Sequence, residues 1–208
     1  MNATMNPRIV IVNYGSGNLR SVQKGFERMG AEAVISENSR IVEDATHLVV
    51  PGVGAFSECM KQLEHLNLVK TIHDGIRSGK PYLGICLGLQ ILFTVGEEFG
   101  THPGLGLIVG KVVRFPKGEE KVPHMGWNQV QIQQTHPLWN GIPQKSFFYF
   151  VHSYYGCPEG NDWVAATTEH GISFPSAVTH DNIFACQFHP EKSQSVGLRL
   201  LSNFAKQR

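Results

Sequence analysis

Short apolar runs alternate with amphipathic stretches through the first half of the chain. Ile9-Val10-Ile11-Val12 predicts a buried strand. Leu19, Val22, Phe26 and Met29 follow at helical spacing, and Gly30 ends that helix. Ala33-Val34-Ile35 and Leu48-Val49-Val50 predict two further strands, the second stopped by Pro51-Gly52. Cys59, Leu63 and Leu66 predict another helix. Tyr82 to Ile85 predicts a fourth strand, and Leu89 to Phe93 begin the helix after it. Strands that are apolar throughout and alternate with helices imply a parallel sheet covered on both faces.

The second half has a different rhythm. Val112 to Phe115, Val130 to Ile132, Phe147 to Val151, Trp163 to Ala166 and Ile183 to Cys186 are strand-like, with turn residues between them. Val196, Leu200 and Phe204 predict a closing helix. The expected fold is α/β: a central, mostly parallel sheet flanked by helices, with an added antiparallel strand region. No repeat, low-complexity segment or linker divides the chain. Residues 8–208 are expected to form one domain behind a short flexible polar extension, residues 1–7, in which Met5 offers an alternative start. In open sheets of this kind, chemistry gathers at the carboxyl ends of the strands. Asn13 to Gly17, Pro51 to Phe56, Cys86 and His189 all follow strands there.

Composition narrows the field of partners. The 208 residues are 41% apolar and 17% charged, with a net charge of +1, which gives no reason to expect nucleic acid or an anionic membrane. No apolar run is long enough to span a bilayer, and Met1 to Arg8 lacks the apolar core of a signal peptide. Cys59, Cys86, Cys157 and Cys186 are scattered, with no Cys-x-x-Cys pair, which argues against a disulfide framework or a zinc site. A reducing cytoplasm is the simplest setting. No metal or cofactor is called for, because the histidines lack ligand spacing.

The candidate chemistry centres on Cys86. Gly84-Ile85-Cys86-Leu87-Gly88 is the thiol form of a nucleophile elbow, a tight strand-to-helix turn whose glycines keep it free of side chains. A helix starting at Leu87 would aim free N–H groups at the sulfur and favour thiolate. A buried cysteine in inert packing fits the same residues. Downstream, His189-Pro190-Glu191 in extended form would set His189 and Glu191 side by side, a base with its orienting carboxylate. A surface His-Pro-Glu turn would read the same. Pro51-Gly52-Val53-Gly54-Ala55-Phe56 offers Gly52, Val53 or Gly54 as an oxyanion donor beside the Leu87 N–H, or else merely ends a strand. Asn13-Tyr14-Gly15-Ser16-Gly17-Asn18 lacks the residues of a P-loop. Pro123 to Asn128 and His152 to Tyr155 hold aromatic and polar groups in expected loops.

Gly-Ile-Cys-Leu-Gly-Leu-Gln and Gln-Phe-His-Pro-Glu resemble the two signatures of the triad-type (class I) glutamine amidotransferases. Four more runs, at 12–22, 51–56, 123–128 and 150–154, resemble the branch that provides glutaminase subunits for histidine biosynthesis. Leu89 stands where many relatives have methionine, a volume-conserving change. The resemblance implies that Cys86 attacks the glutamine amide, that His189 moves the proton and that Glu191 holds His189. It also implies that Gln90, Glu98, His152, Ser153 and Tyr154 surround the bound glutamine; Glu97, next to Glu98, makes that one assignment ambiguous. Ammonia would pass to a (β/α)8-barrel cyclase subunit in a heterodimer, with Asn13, Tyr14, Trp127, Tyr149 and Lys192 near the partner. The cyclase would then make imidazole glycerol phosphate and aminoimidazole carboxamide ribotide. The resemblance further implies that the subunit is nearly idle alone, and a peptide flip in Gly52-Val53-Gly54 is a physical route to switching it on. A related synthase that amidinates surface sugars, a cysteine hydrolase of similar fold and a non-catalytic binding subunit are the alternatives.

Overall fold

The computed structural model describes residues 7–118 and 120–207. Apart from Pro7, the extension expected over residues 1–7 lies outside the described residues. In chain order the elements are β1 (Ile9–Val12), α1 (Leu19–Arg28), β2 (Ala33–Ser36), α2 (Ser39–Glu43), β3 (His47–Gly52), α3 (Phe56–His65), α4 (Leu68–Arg77), β4 (Tyr82–Cys86), α5 (Leu87–Gln90) and β5 (Phe93–Gly96). There follow β6 (His102–Pro103), β7 (Ile108–Arg114), β8 (His124–Ile132), β9 (Ser146–His152), β10 (Tyr154–Pro158), β11 (Val164–Glu169), β12 (Ser173–His180), β13 (Ile183–Cys186) and α6 (Gln194–Phe204).

The main sheet has nine strands in the order β2-β1-β3-β4-β13-β12-β11-β8-β9. From β2 to β13 the pairings are parallel, and from β13 to β9 they are antiparallel. A second sheet, β10-β7-β5-β6, stands apart. The apolar β1 run divides its side chains between two cores. Ile9 and Ile11 face Phe26 of α1 and Leu200, Leu201 and Phe204 of α6. Val10 and Val12 belong with Phe56 and Leu63 of α3 and Leu68 and Ile72 of α4. Alternate side chains of a strand point to opposite faces, so each face receives its own helical layer. Gly25 brings α1 onto α6, since a Cβ there would lie 2.6 Å from Leu201 Cδ1.

Three local expectations need correction. β3 does not stop at Pro51 but pairs onward with β4, as Pro51↔Ile85 and Gly52↔Cys86. The pairing of β1 with β3 has already ended at Ile11↔Val49, so the N–H that Pro51 lacks is not needed there. The helix expected from Leu89 to Phe93 is one turn, Leu87–Gln90. The chain then becomes strand β5, whose Phe93 and Gly96 are buried while Thr94 between them is exposed. Finally, Pro123 to Asn128 and His152 to Tyr155 are mostly strand, in β8, β9 and β10, rather than loop.

Candidate active site

Strands β1, β3, β4 and β13 are neighbours and parallel, so their carboxyl ends share one edge of the sheet. Cys86 ends β4 with φ 55° and ψ −104°, a conformation L residues rarely adopt. Holding such a residue costs about 1–3 kcal/mol, which the surroundings must enforce. The two elbow glycines show how they do so. A Cβ on Gly88 would lie 1.7 Å from the Val50 carbonyl oxygen, and one on Gly84 would lie 2.5 Å from that of Gly88. The Tyr82 hydroxyl donates to the Gly88 carbonyl at 2.8 Å and pins the turn from below. Because α5 is a single turn, it presents only local N–H groups, and the extended dipole expected behind the sulfur is absent.

His189 lies just beyond β13, buried at 2% exposure. Its Nδ1 is 2.8 Å from Glu191 Oε1. The pairing matches expectation but its geometry does not: Pro190–Lys192 is a 3-10 turn, not an extended segment. Proline suits the first position of such a turn, and the tight winding brings Glu191 back over the histidine. Ser193 locks the turn, its hydroxyl donating to the His189 carbonyl at 2.6 Å and accepting the Tyr149 N–H at 3.0 Å. The remaining ring atom, Nε2, is buried and has no hydrogen-bond partner. Burial disfavours the imidazolium, but the charge of a Cys86 thiolate and the hydrogen bond to Glu191 overcome it and raise the His189 pKa to about 10.

A cleft of about 530 Å³ opens over the sulfur, lined by Val53, Gly54, Cys86, Leu87, Gln90, Glu98, Pro123, Val151, His152, Ser153, Tyr154 and Lys192. It gathers every residue expected around a glutamine. It also separates the two neighbouring glutamates. Glu98 lines the cleft and accepts the Phe56 N–H at 2.7 Å, tying down the start of α3. Glu97 instead pairs with Lys111 at 3.0 Å on the exposed side of the second sheet.

Two chains of hydrogen bonds meet at the Tyr154 carbonyl. From one side, Gln90 Nε2 donates to it at 2.9 Å and to Gln187 Oε1 at 3.1 Å, and Gln187 Nε2 donates to Cys86 Sγ at 3.5 Å. From the other, His152 Nδ1 donates to the same carbonyl at 2.8 Å. Behind it, His124 Nδ1 lies 3.0 Å from His152 Nε2, and Asn128 Nδ2 lies 3.1 Å from His124 Nε2 and donates to the Glu169 carbonyl at 2.8 Å. The carbonyls at both ends can only accept, so the direction of every bond between them is fixed, and both imidazoles are neutral. Burial drives this, lowering the pKa of His152 to about 3 and, with help from His170, that of His124 to about 4. Sequence reading passed over Gln187, Ser193, His124 and Asn128. The available signal for Gln187 was a polar residue inside the apolar run from Ile183 to Phe188.

The glycine-rich loop after β3 reaches the cleft through Val53 and Gly54. Gly52 sits beneath, where a Cβ would meet the Tyr14 hydroxyl at 2.0 Å and Leu87 Cβ at 2.8 Å. Ser16 donates to the Val53 carbonyl at 2.6 Å, and Gly54 has φ +100°. Among the residues expected near a partner, Trp127, Tyr149 and Lys192 form one patch. Trp127 faces Tyr149 across β8 and β9 with ring centroids 6.2 Å apart, and Lys192 Nζ lies 5.6 Å from the Tyr149 ring centre. Asn13 is partly buried. Tyr14 does not reach a surface: at 1% exposure it packs behind Gly52, because its ring belongs to the core over α3.

The chain matches the family model described as glutamine amidotransferase class-I over residues 10–207. It is 55% identical over 202 residues to imidazole glycerol phosphate synthase subunit HisH of Syntrophotalea carbinolica, covering 94% of this chain and 98% of that one. The protein of the same name from Aquifex aeolicus is 49% identical, with 96% of each covered. Among solved structures, one titled glutamine amidotransferase superposes with a TM-score of 0.74 at 21% identity, covering 94% of this chain and 98% of that one. The structure of PurLQS from Thermotoga maritima gives 0.76 at 17%, covering 96% and 98%. At such identities the two structures speak for the fold.

Proposed function

The chain belongs to the class I glutamine amidotransferases, and from its 55% identity to a HisH subunit we propose that it is the glutaminase subunit of an imidazole glycerol phosphate synthase. It hydrolyses glutamine for histidine biosynthesis. The observation that carries the catalytic assignment is the pairing of a strained Cys86 with a buried His189–Glu191 couple on one sheet edge.

The reaction follows from the geometry. His189 Nε2 takes the Cys86 thiol proton, and Sγ attacks the side-chain amide carbon of glutamine. The tetrahedral oxyanion is met by the Leu87 N–H and by a donor from the Gly52-Val53-Gly54 loop. As the C–N bond breaks, His189 returns the proton to the departing ammonia and leaves a glutamyl thioester. Water, deprotonated by His189, attacks the thioester; glutamate leaves and the thiol recovers its proton. Glu191 keeps the imidazole in one tautomer throughout. Glu98 has one carboxylate oxygen engaged by Phe56 and the other available to the glutamine ammonium. Gln90, His152, Ser153 and Tyr154 complete the cleft wall.

The ammonia is delivered to a (β/α)8-barrel cyclase subunit, docked over Trp127, Tyr149 and Lys192 in a cytoplasmic heterodimer. Among the described residues no helix is long and apolar enough to cross a membrane. The Ser16 hydrogen bond to Val53 must break if the Val53–Gly54 peptide turns to complete the oxyanion site, which gives the partner a bond to act on. A missing donor there lowers the rate roughly a hundred- to a thousand-fold. In the reconstituted complex, Cys86→Ala is expected to abolish glutamine-dependent synthesis and to leave synthesis from added ammonia intact. Glutamine-dependent synthesis by that variant would refute the nucleophile. Full glutaminase activity of the isolated chain would refute the switch.

A further inference from the structure

We infer that Gln187 is a second partner of the nucleophile: its side-chain amide donates to Cys86 Sγ, positions the sulfur and stabilises its negative charge. The inference rests on Cys86 being the nucleophile and adds a residue to the triad.

The orientation of the amide is what makes the contact a donor. Gln187 is fully buried at the end of β13 and fixed there by its own N–H to the Ser176 carbonyl at 2.9 Å. An amide's oxygen and nitrogen are nearly alike in size and shape, so the assignment comes from the neighbours. The Tyr154 carbonyl can only accept, so the Gln90 group facing it at 2.9 Å is the NH2. The second hydrogen of that NH2 points to Gln187 at 3.1 Å, which must therefore present oxygen. The opposite end of the Gln187 amide, 3.5 Å from Cys86 Sγ, is then Nε2–H. One peptide carbonyl thus sets the polarity of two side chains and aims a donor at the sulfur.

A buried donor beside sulfur acts on the thiolate more than on the thiol, because hydrogen bonds to charged groups are the stronger ones. His189 and Gln187 therefore approach Cys86 with separate tasks. His189 receives the proton. Gln187 carries no exchangeable role and cannot titrate, so it supports the anion without competing for the proton. It also restrains the sulfur at a residue whose backbone is already strained.

The test uses Gln187→Met, which keeps the length and removes the donor, and Gln187→Glu, which keeps the acceptor for Gln90 and replaces the donor with oxygen. Cys86 alkylation by iodoacetamide is followed by mass spectrometry on the full chain from pH 5 to 10, with thermal melting to identify folded variants. Loss of one charge-assisted bond is expected to slow alkylation at neutral pH by about ten- to a hundred-fold and to move the profile to higher pH. The shift should be larger in Gln187→Glu. In the complex, kcat for glutamine should fall by a similar factor with KM nearly unchanged, which a general loosening of the cleft would not produce. If a folded variant keeps the wild-type alkylation profile, the role of Gln187 is refuted while the triad stands. If Cys86→Ala retains glutamine turnover, the nucleophile is refuted and this inference with it.

Discussion

The parallel and antiparallel halves of the main sheet build one cleft by different means. In the parallel half, Cys86, His189 and the Gly52–Gly54 loop sit on turns at strand ends, and backbone constraints position them. Gly88 touches Val50, Gly84 touches Gly88, and Pro190 starts the turn that seats Glu191. In the antiparallel half, Asn128, His124 and His152 lie within or at the ends of strands, and side-chain hydrogen bonds position them. The elbow of the first region has no room for volume, and in the second the ring nitrogens of His124 and His152 and the Asn128 amide hydrogens all have partners. The same cleft should therefore fail in two distinguishable ways.

The largest effect is expected from volume at the elbow. Gly88→Ala puts a Cβ 1.7 Å from the Val50 carbonyl oxygen, and neither partner is a flexible side-chain tip. Overpacking of this kind costs about 1–3 kcal/mol or more, and relief requires moving the turn that carries Cys86. Glutaminase activity should disappear, with a lower urea midpoint. An active variant of wild-type stability would show that backbone contact does not set the parallel half.

Protonation separates the halves next. In the folded chain His189 is raised from 6.5 to about 10. Its contribution to stability is complete below pH 6.5 and fades as pH rises through 10. His124 and His152 are lowered from 6.5 to about 4 and about 3. Their contribution is present above pH 6.5 and fades as pH falls towards those values, because the unfolded chain then takes up protons that the folded chain refuses. Urea unfolding across pH 4 to 10 should resolve both slopes. Cys86→Ala removes the main charge that supports the imidazolium and should flatten the alkaline slope alone. His124→Phe keeps a ring against Phe150 and His170 but leaves His152 Nε2 and one Asn128 hydrogen unpartnered. It should cost about 1–3 kcal/mol near neutral pH and flatten the acid slope. If His124→Phe changed neither, the chain of neutral imidazoles would not hold this region.

The same contrast explains what the sequence revealed. Chemistry on turns leaves local motifs, so Cys86, His189 and Glu191 were legible, as were β1, β2, β4 and α1. The reason for the His189–Glu191 pairing was misread, because Pro190 after an extended His189 suits a continuing extended segment and the start of a 3-10 turn alike. Chemistry inside strands leaves no such motif. His124 and Asn128 sit in a run with Pro123 and Gly126, and Gly126 has φ +132°, so a strand looked like a loop. β12 was hidden by Pro175 and β10 by Gly156 and Pro158. Helix α4 was overlooked although Leu68, Ile72 and Ile76 repeat every four residues, because only Asn67, at φ 55°, breaks it from the segment before. Tyr14 was expected near the partner from the resemblance alone; sequence gives no depth, and only the packing of Gly52 against it shows that it belongs beneath the loop.

The smallest expected effect separates two adjacent carboxylates that sequence could not rank. Glu97 and Lys111 form an exposed pair, with side chains 43% and 58% accessible. Such pairs contribute less than about 1 kcal/mol, so Glu97→Gln should leave the urea midpoint and the KM for glutamine nearly unchanged. Glu98 does two jobs at the boundary between the sheets, accepting the Phe56 N–H at the start of α3 and lining the cleft. Glu98→Gln keeps an acceptor for that N–H but removes the charge that both the helix start and an ammonium group favour. Its stability should drop only slightly, while KM for glutamine rises several-fold with kcat little changed. Equal KM values for the two variants would remove Glu98 from the substrate and leave it as the anchor of α3 alone.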